Sequence, residues 1–254
     1  MSTPEIPAAT LVVFRHGPPG KPPELLMVVR SRTMSFAGGM AVFPGGRVDP
    51  EDRALAETIA GDLDLDEAAH RIAAIRETIE ETGLAPGLHQ RLDAAQARVL
   101  RGDMAQGGQF ASALAAHGLT LDLAALIPFA RWCPRGITSH RVFDTRFYLA
   151  DLGTGNVEIA VDATENTHLF WISAADALAS AERGELEVIF PTRRNLERLA
   201  LFASFAEARA QAEATPVRMI VPQVGEHDGR KALTIPDDLG YPVTHELMDS
   251  AMRG

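Results

Sequence analysis

Arg76-Glu77-Thr78-Ile79-Glu80-Glu81-Thr82-Gly83-Leu84 is the stretch whose reading decides the fold. Residues three and four apart are neighbours on a helix surface. Glu77, Glu80 and Glu81 stand at i, i+3 and i+4, so their carboxylates share one face. Ile72, Ile75 and Ile79 share another, the apolar face that a helix buries. Gly83 follows, where glycine best stops a helix. Like charges at these spacings destabilise an exposed helix by roughly 0.2–0.5 kcal/mol per pair. A divalent cation reverses that sign, because hard cations take carboxylate oxygens. The same residues also suit a solvated face on which Arg76 pairs with Glu80 at i+4, and the residues around them decide between the two.

Immediately upstream, an acidic stretch from Gly61 to Asp66 offers Asp64 or Asp66 as a helix cap, with Glu67 in the first turn. The spacing predicts a helix from about Asp66 to Thr82, and a short one over Asp52–Ala60. Before these, Ala41-Val42-Phe43 runs into Pro44-Gly45-Gly46. Pro44 lacks a backbone donor, and the two glycines permit close approach of another group. Ala8–His16 and Glu24–Ser31 read as strands joined in a hairpin across the Pro/Gly turn 17–23, with Met34–Met40 a loop.

Downstream, Leu88–Gly118 has helical spacing interrupted at Gly102-Asp103 and Gly107-Gly108, which predicts two helices. Ala124–Cys133, Arg141–Leu152 and Val157–Val161 read as strands, and His168–Ile172 is an apolar run leading into a helix over Ser173–Arg183. In Arg141–Leu152, alternation sets Asp144 and Arg146 on a polar face opposite Phe143 and Phe147. Another helix is expected over Thr192–Ala212. Val217–Pro222 and Ala232–Ile235 are expected to flank a hairpin turn at Asp228-Gly229. The fold class is mixed α/β (α+β).

The length, 254 residues, suits a single domain over 1–254 with helical insertions near 53–66 and 88–118. A net charge of −10 argues against nucleic acid or an anionic membrane as the main partner. It allows a phosphorylated small molecule if metal supplies the local positive charge. The lone cysteine, Cys133, forms no intrachain disulfide and points to a reducing compartment; with no signal peptide or transmembrane-length apolar run, a cytoplasmic protein is expected.

A Gly-rich turn followed by R-E-x-x-E-E-x-G resembles the Nudix hydrolases, whose signature is a Gly, five residues, an acid, seven residues, then R-E-U-x-E-E-x-G-U with U aliphatic. Gly46 and Asp52 have the first spacing, as do Gly45 and Glu51. Arg76, Glu77, Glu80, Glu81, Gly83 and Leu84 match one for one. Thr78 stands at an aliphatic position, and 23 residues separate Asp52 from Arg76. A narrower resemblance is to coenzyme A diphosphatase-type members and the Nudix 19-type branch. It rests on Arg30, Ser31, Gly39 and Phe43-Pro44-Gly45-Gly46 at the spacing R-S-x3-R-x3-G-x3-F-P-G-G, with Ser35 where an Arg is expected.

The resemblance implies a Nudix-type α/β/α sandwich with a mixed sheet, and hydrolysis of a nucleoside diphosphate derivative such as coenzyme A or acyl-CoA. It implies Mg²⁺ or Mn²⁺ on Glu77, Glu80 and Glu81 with the Gly45 carbonyl, Glu77 as base or further ligand, and Arg76 orienting a carboxylate. Asp52 would act behind the site. A homodimer is common in the family, while nothing in the sequence fixes the oligomeric state. Candidate substrate contacts are Arg30, Phe36, Gly46, Arg131 and Glu165, with Arg193 and Arg194 beside a helix start capped by Thr192. Trp132, Phe129, Phe143 and Phe147 read as core. The alternative function is a catalytically silent Nudix-fold sensor that binds a nucleotide; an intact set of three Glu and Arg76 argues for hydrolysis.

Overall fold

The computed structural model describes residues 4–17, 20–32, 37–106, 109–137, 141–153 and 166–248. In chain order these form β1 (Glu5–Arg15), β2 (Glu24–Arg30), β3 (Ala41–Val42), β4 (Gly45–Arg47), α1 (Pro50–Ile59), α2 (Leu65–Thr82), α3 (Ala94–Ala105) and α4 (Phe110–Ala116). A 3₁₀ turn at Leu123–Ala125 leads into β5 (Ile127–Trp132), β6 (Val142–Asp151) and β7 (Asn166–Ser173). Then come α5 (Ala174–Glu182), α6 (Phe190–Leu199), α7 (Phe205–Ala214), β8 (Met219–Ile220), β9 (Gln223–His227), β10 (Arg230–Thr234) and β11 (His245–Leu247).

Among the described residues, eight strands make one mixed sheet in the order β3-β2-β1-β6-β5-β8, with β4 also on β1 and β7 on β2. β1 and β6 run parallel from Glu5↔Val142 to Phe14↔Asp151. β1 changes its other partner midway: Ala8–Thr10 pair with β4, whereas Phe14 and Arg15 pair with β2. The Phe43-Pro44 corner sits at this exchange, where the Pro44 carbonyl accepts from Leu11 N–H at 2.9 Å.

Side chains alternate across a strand, so each face of the sheet builds its own core. Leu11, Val13, Leu26, Val28, Tyr148 and Ala150 pack under α1–α4, with Ile72, Ile75 and Ile79 of α2. Val12, Phe14, Leu25, Met27, Phe129 and Leu149 pack under α5–α7. Helices thus cover both faces, the α/β/α sandwich that the family resemblance implies. Asp144 and Arg146 are polar as the alternation predicts, and both are paired: Asp144 with Arg131, Arg146 with Asp66 and Glu67 at the start of α2.

The structure corrects two boundaries. The helix expected over Thr192–Ala212 is two helices, α6 and α7. Ser204 caps the second by accepting from Glu207 N–H at 3.2 Å, while Glu207 reaches back to Ala203 N–H at 2.8 Å. The hairpin around Asp228-Gly229 joins β9 to β10; residues 219–220 instead pair parallel with β5. The strand expected at Val157–Val161 lies outside the described residues. No described helix is long and apolar enough to cross a membrane.

Candidate active site

α2 begins and ends on local signals. The Asp64 carboxylate accepts from Asp66 and Glu67 N–H at 3.0 and 3.2 Å, satisfying donors that a helix start leaves without partners. Gly83 closes the helix at φ 73°, its N–H bonded to Ile79 O at 2.9 Å. Thr78, at an aliphatic position of the Nudix signature, is fully buried, and its hydroxyl donates to Ala74 O at 2.7 Å. The polar atom is therefore satisfied within the helix, and a Thr can serve there.

Arg76 is the hub of the site. Its Nε and Nη2 donate to the two Asp52 carboxylate oxygens at 2.9 and 3.0 Å, and Nη2 also donates to Arg47 O at 3.0 Å. Its Nη1 donates to Glu77 Oε1 at 3.0 Å and Glu80 Oε2 at 2.9 Å. One buried guanidinium thereby ties α1, β4 and two carboxylates of α2 together. Such planar, two-point pairing is what Arg does and Lys cannot.

The Gly45-Gly46 turn is pressed onto the acidic face. Gly45 N–H donates to Glu81 Oε2 at 3.1 Å. A Cβ on Gly46 would lie 2.3 Å from Glu77 Cδ, so the missing side chain is what gives Glu77 its seat. A Cβ on Gly45 would lie 2.3 Å from the Ala9 carbonyl oxygen.

Burial pushes the Glu77 carboxyl up to about 8; Arg76 pulls it down, and the nearby Glu81 and Glu80 charges push it further up. Glu80 is also raised by burial, against the pull of Arg76. Burial works against the charge on Arg76, yet the hydrogen bond to Asp52 and the charges of Glu77, Asp52 and Glu80 outweigh it and hold the pKa above its ordinary value. Three carboxylates crowded on one face, with the ionised forms of Glu77 and Glu80 disfavoured, make an environment that a cation relieves.

These groups open into a cleft of ≈ 1130 Å³. It brings together Arg30, Gly45, Gly46, Arg76, Glu77, Glu80 and Glu81 from the residues singled out in the sequence. Arg30 lies on β2 with its Nε buried and without a hydrogen-bond partner. Three other arginines are placed elsewhere. Arg131 is held by Asp144 at 2.8 and 2.6 Å and is not part of the cleft lining. Arg194 is buried and pairs with Glu197 at 2.8 Å and Glu246 at 3.1 Å, so it closes the protein's own structure rather than a helix-end anion site. Arg193 is partly buried beside it, outside the lining. Thr192 lines the cleft but does not cap α6, whose N-cap is Ile189, with Pro191 in its first turn. Phe36 and Glu165 lie outside the described residues. Trp132, Phe129 and Phe147 are buried as expected; Trp132 and Phe147 also touch the cleft, together with the partly buried Phe143.

The two helices expected over Leu88–Gly118 are α3 and α4; what sequence reasoning missed is that α3 walls the cleft. Arg98, Arg101, Gly102, Met104 and Ala105 of this helix form one side of the cleft. Arg101 Nε donates to Glu80 O at 2.8 Å and Nη2 to Glu81 O at 3.4 Å, docking α3 on the last turn of α2. The i, i+3 spacing of Arg98 and Arg101 was readable, but the surface they face depends on a contact 20 residues away in the chain.

Among the described residues, no three His, Cys, Asp or Glu side chains converge as a ready metal cage. Glu77 and Glu80 lean to Arg76, and Glu81 to Gly45 N–H. The donor set still fits a hard divalent ion of the Mg²⁺ type, which takes one or two carboxylates and otherwise keeps water or substrate oxygens.

No family model matches the chain, and no curated protein matches it. Among solved structures, a NUDIX hydrolase from Alicyclobacillus acidocaldarius is 33% identical, with 82% of this chain and 96% of that chain covered, at a TM-score of 0.72. A MutT protein from Methanosarcina mazei Go1 is 16% identical over 77% of this chain and 92% of that chain, at a TM-score of 0.41. The NUDIX domain of Shewanella oneidensis NrtR complexed with ADP ribose is 14% identical over 76% and 85%, at 0.44. The latter two are too distant for any property to be carried over. The identity and coverage of the Alicyclobacillus enzyme, on top of the shared sandwich and the R-E-x-x-E-E-x-G helix, place this chain in the Nudix hydrolase family.

Proposed function

We propose that the protein is a divalent-metal-dependent pyrophosphohydrolase that cleaves the diphosphate linkage of a nucleoside diphosphate derivative, with coenzyme A or an acyl-CoA as the first candidates. The observation that carries this reading is the meeting of the Gly45-Gly46 turn with the Glu77, Glu80 and Glu81 face inside one cleft. Phosphoryl transfer asks for positioning and charge neutralisation more than for covalent help. Glu80, Glu81 and the Gly45 carbonyl would hold Mg²⁺ or Mn²⁺, with Glu77 a further ligand. When bound, such an ion neutralises the diphosphate and makes a bound water more acidic.

The remaining work falls to the chain itself. Glu77, seated on Gly46 and bonded to Arg76, would serve either as that further ligand or as the base that takes the proton of the attacking water. Arg76 fixes the direction of Glu77 and Glu80, and Asp52 fixes Arg76. Arg30, with a buried Nε lacking a partner, suits a phosphate oxygen of the substrate. The coenzyme A preference rests on the segment from Arg30 to Gly46 and is weakened at Ser35.

The test is incubation with Mg²⁺ or Mn²⁺ and a panel of coenzyme A, acyl-CoA thioesters, ADP-ribose, dinucleotides and nucleotide sugars, with products separated by chromatography. Metal-dependent release of two phosphomonoesters from at least one compound is the expected result. Binding without product across the panel overturns the hydrolase reading in favour of a nucleotide sensor.

A further inference from the structure

α3 separates two cavities. Arg98 and Arg101, one turn apart, line both the cleft and a neighbouring cavity of ≈ 570 Å³ that also holds Gly83, Arg91, Asp93 and Asp151. The charge balance here differs from that of the whole chain. The cleft lining has six arginines (30, 47, 76, 98, 101 and 141) against four acids (Asp49, Glu77, Glu80, Glu81), an excess of +2 in a protein of net charge −10. Arg76 serves the acidic face of α2 through Asp52, Glu77 and Glu80, whereas Arg98 and Arg101 stand on α3. Arg101 is anchored by the carbonyls of Glu80 and Glu81, which fixes its guanidinium at the end of that helix and sets Arg98 one turn further along the wall.

We propose that α3 is a specificity wall of the cleft, on which Arg98, positioned beside Arg101, takes a phosphate monoester of the substrate lying beyond the scissile diphosphate. This inference rests on the diphosphatase reading above. Guanidinium groups match phosphate oxygens in a planar two-point geometry.

The experiment compares wild type with Arg98→Gln on pairs of diphosphate compounds that differ by one phosphate monoester away from the scissile bond: coenzyme A with dephospho-coenzyme A, and NADPH with NADH. A charge-assisted hydrogen bond is worth about 10- to 100-fold. Arg98→Gln should therefore lower the ratio of kcat/KM between the members of a pair by about that factor, through a raised KM for the monoester-bearing compound. Arg98→Lys, which keeps the charge and loses the fork, should restore part of it. An unchanged ratio in both pairs overturns the proposal while leaving the hydrolase reading intact. Calorimetric titration with adenosine 3′,5′-bisphosphate and with AMP needs no turnover. If wild type hydrolyses neither pair, the diphosphatase reading fails for these compounds and the titration decides. A wild-type preference for the bisphosphate that Arg98→Gln abolishes supports the wall; equal affinities, or a preference that survives the substitution, overturns it.

Discussion

The two adjacent glycines of the turn should respond in opposite ways to the same substitution. In Gly46→Ala the new Cβ meets Glu77 Cδ at 2.3 Å, whereas ordinary contacts begin at 3.4 Å. The Glu77 carboxyl must therefore retreat by about 1 Å. It is the end of a flexible side chain, and φ of Gly46 is not in the left-handed region. The fold should accordingly lose less than about 1 kcal/mol, offset by the 0.4–1 kcal/mol gained when Ala restricts the unfolded chain. A shift of about 1 Å in a positioning group can cost about 10²-fold in rate, so turnover should collapse in a folded protein. In Gly45→Ala the Cβ meets the Ala9 carbonyl oxygen at 2.3 Å and Thr10 Cα at 2.7 Å. Both are backbone atoms of β1, inside the sheet, and neither can swing aside. That variant should be destabilised by about 3 kcal/mol, the upper end of overpacking. Urea unfolding and metal-dependent turnover of the best panel substrate, measured on both variants, test the pair. Full activity in Gly46→Ala would refute the role given to the seated Glu77; equal stability loss in the two variants would refute the steric reasoning.

Glu80→Gln and Glu81→Gln should each reduce metal-dependent turnover by at least about 10-fold, since even a residue that only supports a metal ligand costs about 10- to 100-fold, with circular dichroism unchanged; wild-type rates in either would sink the metal assignment. Asp52→Asn removes the buried two-point partner of Arg76 and should cost about 3 kcal/mol in denaturant unfolding. A loss under about 0.5 kcal/mol would show that Glu77 and Glu80 suffice to hold Arg76. Glu197 gives a pH signature away from the site. Burial pushes it up to about 7, with Arg194 and Arg193 opposing and Glu246 reinforcing, and burial likewise lowers Arg194. The folded state then keeps a proton that the unfolded state releases above the usual carboxylate range. The stability this contributes is present at low pH and is lost as pH rises toward about 7. Glu197→Gln should flatten the fall in Tm between about pH 5 and pH 8, and an identical pH profile would rule the assignment out.

What the sequence revealed was what local chemistry encodes. α2 could be read because its cap, its apolar spacing and its terminal glycine lie within twenty residues, and each acts on its own backbone. The Gly45-Gly46 turn could be read because two glycines after a proline have few other uses. The break between α6 and α7 was missed although Ser204 and Glu207 carry the capping spacing, because Ala200–Ala203 contains neither Gly nor Pro to interrupt the helical pattern. β8 was misassigned because a two-residue strand is defined by its partner, here β5, and not by its own residues. Arg194 and Arg98 mark the same limit in opposite directions. As sequence, both are exposed-looking cations on helices. Glu246, 52 residues away, draws the first into the interior, and the docking of α3 on α2 turns the second toward the cleft.

Arg76 resolves the ambiguity with which the acidic helix began. The i, i+4 pair with Glu80, which a solvated helix would also make, is present. Its setting is not that of a solvated face. Arg76 is 7% exposed and Asp52 1%, and the guanidinium also donates to Glu77, Asp52 and the Arg47 carbonyl. Desolvating such a pair costs about as much as its attraction returns, so stability alone gives little reason to bury it. The same holds for Glu77, whose ionised form is disfavoured where it sits. A helix needing only solubility would turn these charges outward. Here three segments of the chain converge to hold them inward against a glycine turn, and a local cost kept up by so many independent contacts belongs to a site whose geometry matters more than its stability.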